Sequence, residues 1–220
     1  MARRIKAAAR DRFGGVGKPG AIIFTHGHSD HAGNAEELLE EWNVPAYCHA
    51  EERRFLDGTS GYPPADTSVG GGLMPVLAPL FPKGPMDIAD WLSSLPQDGS
   101  VPGVVGWEGI HTPGHSPGHI SLWRKTDPAL IVGDAFVTTN QESIYAVITQ
   151  AEELHGPPAF MKSDWKAAQT SVAALATLRP EVVIAGHGRA MRGAEMRAAL
   201  EKLAAEFKTI AIPESKRGDF

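Results

Sequence analysis

Nine histidines are spread unevenly along the 220 residues. Three of them share six positions with a carboxylate, as His26-Gly27-His28-Ser29-Asp30-His31, and three later islands hold His115, Asp134 and His187. Imidazole nitrogen and carboxylate oxygen are donors that suit zinc, iron or manganese. So dense a polar group does not fit a packed interior, and the small neighbours Gly27 and Ser29 let the backbone turn so that several rings point inward together. Cys48 is the only cysteine, which excludes a thiolate cage and an internal disulfide. It reads as a small buried hydrophobe. The chemistry on offer is that of metal ions held by His and Asp alone.

Each island comes just after a stretch that reads as a strand, and strand ends are where ligand groups converge in a sheet flanked by helices. Residues 1–13 predict a short amphipathic helix with Ile5, Ala9 and Phe13 inward and a basic outer face. Gly and Pro then break it before a buried strand over Ala21–Phe24. A helix follows over Ala35–Trp42, a strand over Val44–Cys48 and a helical stretch from about Glu51. Residues 57–86 are rich in Gly and Pro and read as an ordered lid packed near a cleft. Strand-like pieces recur at Val104-Val105, Ile120–Trp123 and Ala129–Val132. Asp164 is placed to cap a helix over Trp165–Leu178. A strand over Glu181–Ala185 and an amphipathic helix over about 193–207 complete the chain. The alternation of strand and helix is that of an α/β fold. At ~150 residues per domain the length suggests one domain over residues 1–220.

Composition removes other classes. Lys and Arg number 21 against 26 Asp and Glu, a net charge of −5, so there is no footprint for gripping a nucleic acid. No apolar run approaches the ~18 residues of a membrane span, and no window resembles a secretory leader. The expectation is a cytoplasmic protein with a small-molecule substrate and no membrane or nucleic-acid partner.

In its four islands the sequence resembles the metallo-β-lactamase superfamily. Binuclear hydrolases of that family carry H-x-H-x-D-H, then a His in a T-P-G-H segment, a bridging Asp after a strand and a late G-H. Here THGHSDH stands at 25–31, TPGHSPGH at 112–119, GDA at 133–135 and AGHG at 185–188, in the same order, and the resemblance runs from residue 21 to about 208. It implies a four-layer αβ/βα sandwich. It also implies two divalent metal ions, zinc first, with manganese or iron as substitutes. One ion would be held by His26, His28 and His115, the other by Asp30, His31 and His187, with Asp134 between them. The implied activity, that of the glyoxalase II and lactonase-like branch, is attack by a metal-bridging hydroxide on the carbonyl of a small ester, thioester or lactone. Asp30 would be a ligand that also shuttles the proton. His119 falls at a second P-G-H, where the family's residue is structural.

The resemblance departs at the front: the family's opening strands are not in evidence before His26. This predicts a sandwich truncated at its N-terminal edge, with a homodimer covering that edge. A β-lactamase, a nuclease and a flavodiiron protein fit the ligand set or the charge less well. The rival readings are a mononuclear iron persulfide dioxygenase using His26, His115 and Asp134, and a non-catalytic remnant. Tyr62, Met74, Phe81, Trp107, Tyr145 and His155 are the expected substrate-side residues, with His49 and His111 at strand ends as ligand-orienting candidates.

Overall fold

The most apolar stretches of the chain pair into one sheet. In a computed structural model, which describes residues 1–15, 17–64, 86–161 and 164–220, a five-stranded sheet runs in the order β4-β5-β6-β7-β8. Its strands are β4 (Trp107–His111), β5 (Ile120–Arg124), β6 (Ala129–Gly133), β7 (Val182–Ala185) and β8 (Met191–Arg192). Neighbours are antiparallel except β6 and β7, which run parallel. A parallel pair needs a crossover, and helix α5 (Trp165–Thr177) supplies it. Asp164 caps that helix, its carboxylate accepting from Ala167 N–H at 3.0 Å, as the sequence predicts. Helix α6 (Gly193–Ala205) buries Met196, Leu200 and Leu203, spaced four and three residues apart along one face. These side chains and those of α5 close over Leu130, Val132 and Val183 of the sheet.

A smaller parallel sheet is ordered β1-β2-β3, from β1 (Ile22–Ile23), β2 (Ala46–Cys48) and β3 (Leu92–Ser94). Helices α1 (Ala2–Phe13), α2 (Ser29–Ala32) and α3 (Ala35–Trp42) belong to this half. Ala35, Leu38, Leu39 and Trp42 of α3 are buried with spacing i, i+3, i+4, i+7, and they pack with Phe24, Val44, Ala46 and Cys48 in a second core. Burial pushes the Cys48 thiol up to about 12, so it stays protonated and inert. The two sheets join where Ile120 N–H donates to the Thr25 carbonyl at 2.9 Å. That contact brings the segment after β1 against the turn between β4 and β5.

Two readings are corrected, and some strands had no reading. Val104-Val105 is not a strand: Val104 N–H turns back to the Val101 carbonyl, and Val105 stands fully in solvent. Helix α1 forms as predicted but buries Ala2 and Ala9, leaving Ile5 and Phe13 exposed. Strand β3 carried no sequence signal, since two of its three residues are exposed serines and its backbone pairing with β2 alone defines it. Of the predicted lid, residues 65–85 lie outside the described residues, Met74 and Phe81 among them. Among the described residues no helix is long and apolar enough to cross a membrane.

Leu130 is fully buried between sheet and helices. Leu130→Ala should cost about 3 kcal/mol, read as a lower urea midpoint at unchanged slope; a loss under about 1 kcal/mol would mean that the core is not packed as described.

Candidate metal centre

All seven side chains picked out by type and spacing meet at one end of the two sheets. His26, His28, Asp30 and His31 follow β1, with Asp30 and His31 raised on the single turn of α2. His115 lies in the turn between β4 and β5, Asp134 follows β6, and His187 follows β7. Gly186 lets the last of these approach closely: a Cβ there would stand 2.3 Å from Asp134 Oδ1 and 2.4 Å from the His31 ring.

The seven divide by environment. His26, His28 and His115 form a buried group whose donor atoms lie within 4.8 Å of one another. His28 Nδ1 and His115 Nε2 are 2.9 Å apart. Burial is the main cause that lowers all three imidazoles, His28 to about 4 and the other two well below the usual imidazole range, so they are neutral and offer lone pairs at pH 7. The Thr25 hydroxyl meets His26 Nδ1 at 3.2 Å, while His26 Nε2 and Asp134 Oδ1 are buried without a hydrogen-bond partner among the described residues. A cation fits these orphaned donors, because buried polar atoms need partners.

The second group, Asp30, His31 and His187, is more open and holds charge. His187 Nε2 lies 3.2 Å from Asp134 Oδ2 and 3.3 Å from Asp30 Oδ2. Burial disfavours protonated His187, but its bonds to Asp134 and Asp30 outweigh that and push it up to about 10. His31, 3.5 Å from Asp134 Oδ2, is raised for the same reason. Burial opposes ionisation of Asp134 too, yet bonds from His187 and His31 hold it well below the usual carboxylate range. Its Oδ2 is also 3.5 Å from His115 Nε2, so this carboxylate touches both groups.

Backbone and neighbours fix Asp134. Its N–H donates to His119 Nε2 at 2.9 Å, which requires the proton of that ring on Nδ1, facing Thr112 Oγ1 at 2.9 Å. Thr112 pairs with Ser121 at 3.0 Å, and Ser121 donates to the Val132 carbonyl at 3.2 Å. Burial, which lowers His119 to about 3, keeps it neutral and suited to this single orientation. Glu52 was not picked out from sequence. It is fully buried and binds both ligand-bearing turns. Nothing in the sequence separates it from its exposed neighbour Glu51.

Other expected residues are placed variously. Tyr62 lies beside the cluster, its ring 4.0 Å from that of His28 and its hydroxyl held by Glu52 and Gly27 N–H. His155 bridges to Val137 across backbone bonds and sits 3.7 Å from Glu142. Tyr145, on the short helix α4 (Ile144–Thr149), is 75% exposed. Trp107 is at the far end of β4 from the His115 turn, about 13 Å along the strand, under the Arg124 guanidinium. His49 and His111 stack on each other at 3.9 Å rather than on a ligand ring.

Helices outside two sheets, with a His/Asp cluster that could hold metal at the strand ends, define a class of metal-binding αβ/βα sandwich. The chain belongs to the metallo-beta-lactamase superfamily, whose family model matches residues 2–187. It is similar to the probable metallo-hydrolase YflN of Bacillus subtilis, 46% identical over 202 residues that cover 92% of this chain and 76% of that one. It is also similar to hydroxyacylglutathione hydrolase GloC of Haemophilus influenzae, 28% identical over 115 residues, 51% of this chain and 48% of that one. Among solved structures, that of TTHA1623 in a di-iron-bound form superposes with a TM-score of 0.54 at 26% identity, over 83% of this chain and 77% of that one.

Because His187 keeps its proton up to about pH 10 in the metal-free protein, a cation that takes this imidazole must expel it. Metal affinity should therefore rise with pH from 6 to 8. Calorimetric titration in buffers of different ionisation enthalpy should show proton release; heats independent of the buffer would contradict the assignment of His187.

Proposed function

We propose that this chain is a metal-dependent hydrolase of a small ester, thioester or lactone, using two divalent ions held by the seven residues. Zinc is the first candidate, with manganese or iron as substitutes. The observation that carries the reading is the position of Asp134, 2% exposed, whose Oδ2 lies within 3.2 to 3.5 Å of His115, His31 and His187. A carboxylate facing both groups is suited to be shared between two ions, with His26, His28 and His115 holding one and Asp30, His31 and His187 the other. When bound, such ions supply Lewis acidity to a carbonyl oxygen and lower the pKa of water from ~15.7 toward ~7.

The remaining work falls to the chain itself. The buried neutral group offers lone pairs and excludes water, and the Thr25 and His119 contacts fix the orientation of His26 and Asp134. Asp30 is 55% exposed at the mouth of the cluster, and its carboxylate pairs with His187. Oδ2 of Asp30 is thus placed to accept a proton and pass it to solvent. Tyr62 walls the site beside His28, and Tyr145 and His155 are the substrate-side residues we retain. The likeness to a hydroxyacylglutathione hydrolase supports a thioester among the substrates to be tried first.

The reading is tested with a panel of thioesters, esters and lactones at pH 7.5. Asp134→Ala and His115→Ala should each lower kcat/KM by more than about 100-fold, beyond the 10- to 100-fold that loss of an outer hydrogen-bond partner costs, while the circular dichroism stays that of the parent. Wild-type turnover by either variant would overturn the site assignment. Oxygen consumption with a persulfide, without hydrolysis of any panel member, would favour the dioxygenase reading.

A further inference from the structure

Among the described residues, Glu52 is the one carboxylate that is fully buried and has no part in the ligand set. It lies just before a single 3₁₀ turn, Arg53–Phe55, and reaches into the space between two loops. Oε1 accepts from Gly27 N–H at 3.0 Å and from the Tyr62 hydroxyl, and Oε2 accepts from the Ser116 hydroxyl at 2.8 Å and from Gly118 N–H at 3.0 Å. Four donors therefore converge on one side chain. Gly27 lies between His26 and His28, and Ser116 and Gly118 follow His115. The approach is close: a Cβ on Gly118 would stand 2.2 Å from Glu52 N.

Taking a carboxylate out of water is costly unless several donors replace the lost hydration. An apolar residue would avoid that cost, but it would leave the buried Gly118 N–H unpaired and Gly27 N–H with the Tyr62 oxygen alone, at 2.8 Å. An ionised carboxylate is acceptor-only, with about four lone-pair sites, and here four donors meet it. Glutamine is a poorer partner, since Gly118 N–H has no second acceptor while Gly27 N–H keeps the Tyr62 oxygen at 2.8 Å. Whichever way its amide is turned, its NH₂ faces a backbone N–H, of Gly27 or of Gly118. The hydroxyls of Tyr62 and Ser116 can reverse their role, but the two amides cannot.

We propose that Glu52 is a positioning residue for the buried ligand group, its carboxylate tying the turn that carries His26 and His28 to the turn that carries His115 and so setting the distance between their lone pairs. It has no such contact with Asp30, His31 or His187 among its hydrogen bonds. Its effect is therefore selective for one ion. The inference rests on the two-ion reading above.

The test is cobalt(II) titration of the metal-free full chain, followed by visible absorption and by bound equivalents, for the wild type, Glu52→Gln and His187→Ala. His187→Ala reports the band of the buried group with the other group disabled. The wild type should bind two equivalents. Glu52→Gln, with an unchanged circular dichroism spectrum, should bind the equivalent assigned to the buried group about 10- to 100-fold more weakly and lose the band that His187→Ala retains. Two equivalents of wild-type affinity and spectrum in Glu52→Gln would overturn the proposal and leave the two-ion reading standing. Loss of both equivalents from a folded variant would overturn it as well, since the effect would not be selective. Fewer than two equivalents in the wild type would overturn the two-ion reading and the proposal with it. Should Glu52→Gln not fold, Ser116→Ala removes one of the four donors. It should shift the same band and weaken the same equivalent; an unmoved band would count against the proposal.

Discussion

The structure turns on a carboxylate held out of water. Asp134 is almost wholly buried at the end of the central strand β6, and three imidazoles from three separate segments stand within 3.5 Å of one of its oxygens. Such a group is destabilising unless positive charge surrounds it. Protonated His187 provides that charge in the metal-free chain, with His31 shifted in the same direction, and divalent ions would provide more of it. The sheet order follows from the same need: β6 must lie beside β7 for His187 to reach Asp134, and β5 must meet the segment after β1 for His26 to do so.

The cluster is electrostatically lopsided. Its deep side is a neutral set of imidazoles whose protons burial has removed, and its shallow side is a set of ion pairs with Asp30 near solvent. In our reading, one side offers a preformed cradle of lone pairs. The other must release a proton before it can hold an ion and can take one up afterwards. On that reading the division would give two ions different affinities without any difference in ligand type beyond one carboxylate.

Much of the site was legible from sequence because ligand chemistry is carried by few residue types at short spacings. His26 to His31, His115, Asp134 and His187 could be named, and their convergence at strand ends follows from the α/β pattern. Strands β1, β6 and β7, which lead to His26, Asp134 and His187, were legible as short apolar runs ending in Gly or a polar island, whereas β4 (Trp107–His111), which leads to His115, was not. What failed did so for physical causes. Strand β3 is defined by hydrogen bonds to β2 rather than by its side chains, and Val104-Val105 looks like a strand but lies in a turn. The inward face of α1 is set by the small Ala2 and Ala9, not by the larger Ile5 and Phe13. Glu52 was invisible because its role comes from four donors distant in sequence, and one glutamate in a run of charged residues carries no mark of burial. For Tyr62, the structure shows a hydroxyl already bonded, which a sequence cannot report.

The central claim is that these seven side chains hold two ions, and metal content per chain tests it most directly. Protein purified without added metal, and without metal from an affinity resin, should contain about two equivalents of zinc, manganese or iron in elemental analysis, or reach that value on reconstitution. In Asp134→Ala both should be weakened, since one carboxylate serves both groups. A wild-type content that stays at one equivalent or below after reconstitution would contradict the claim.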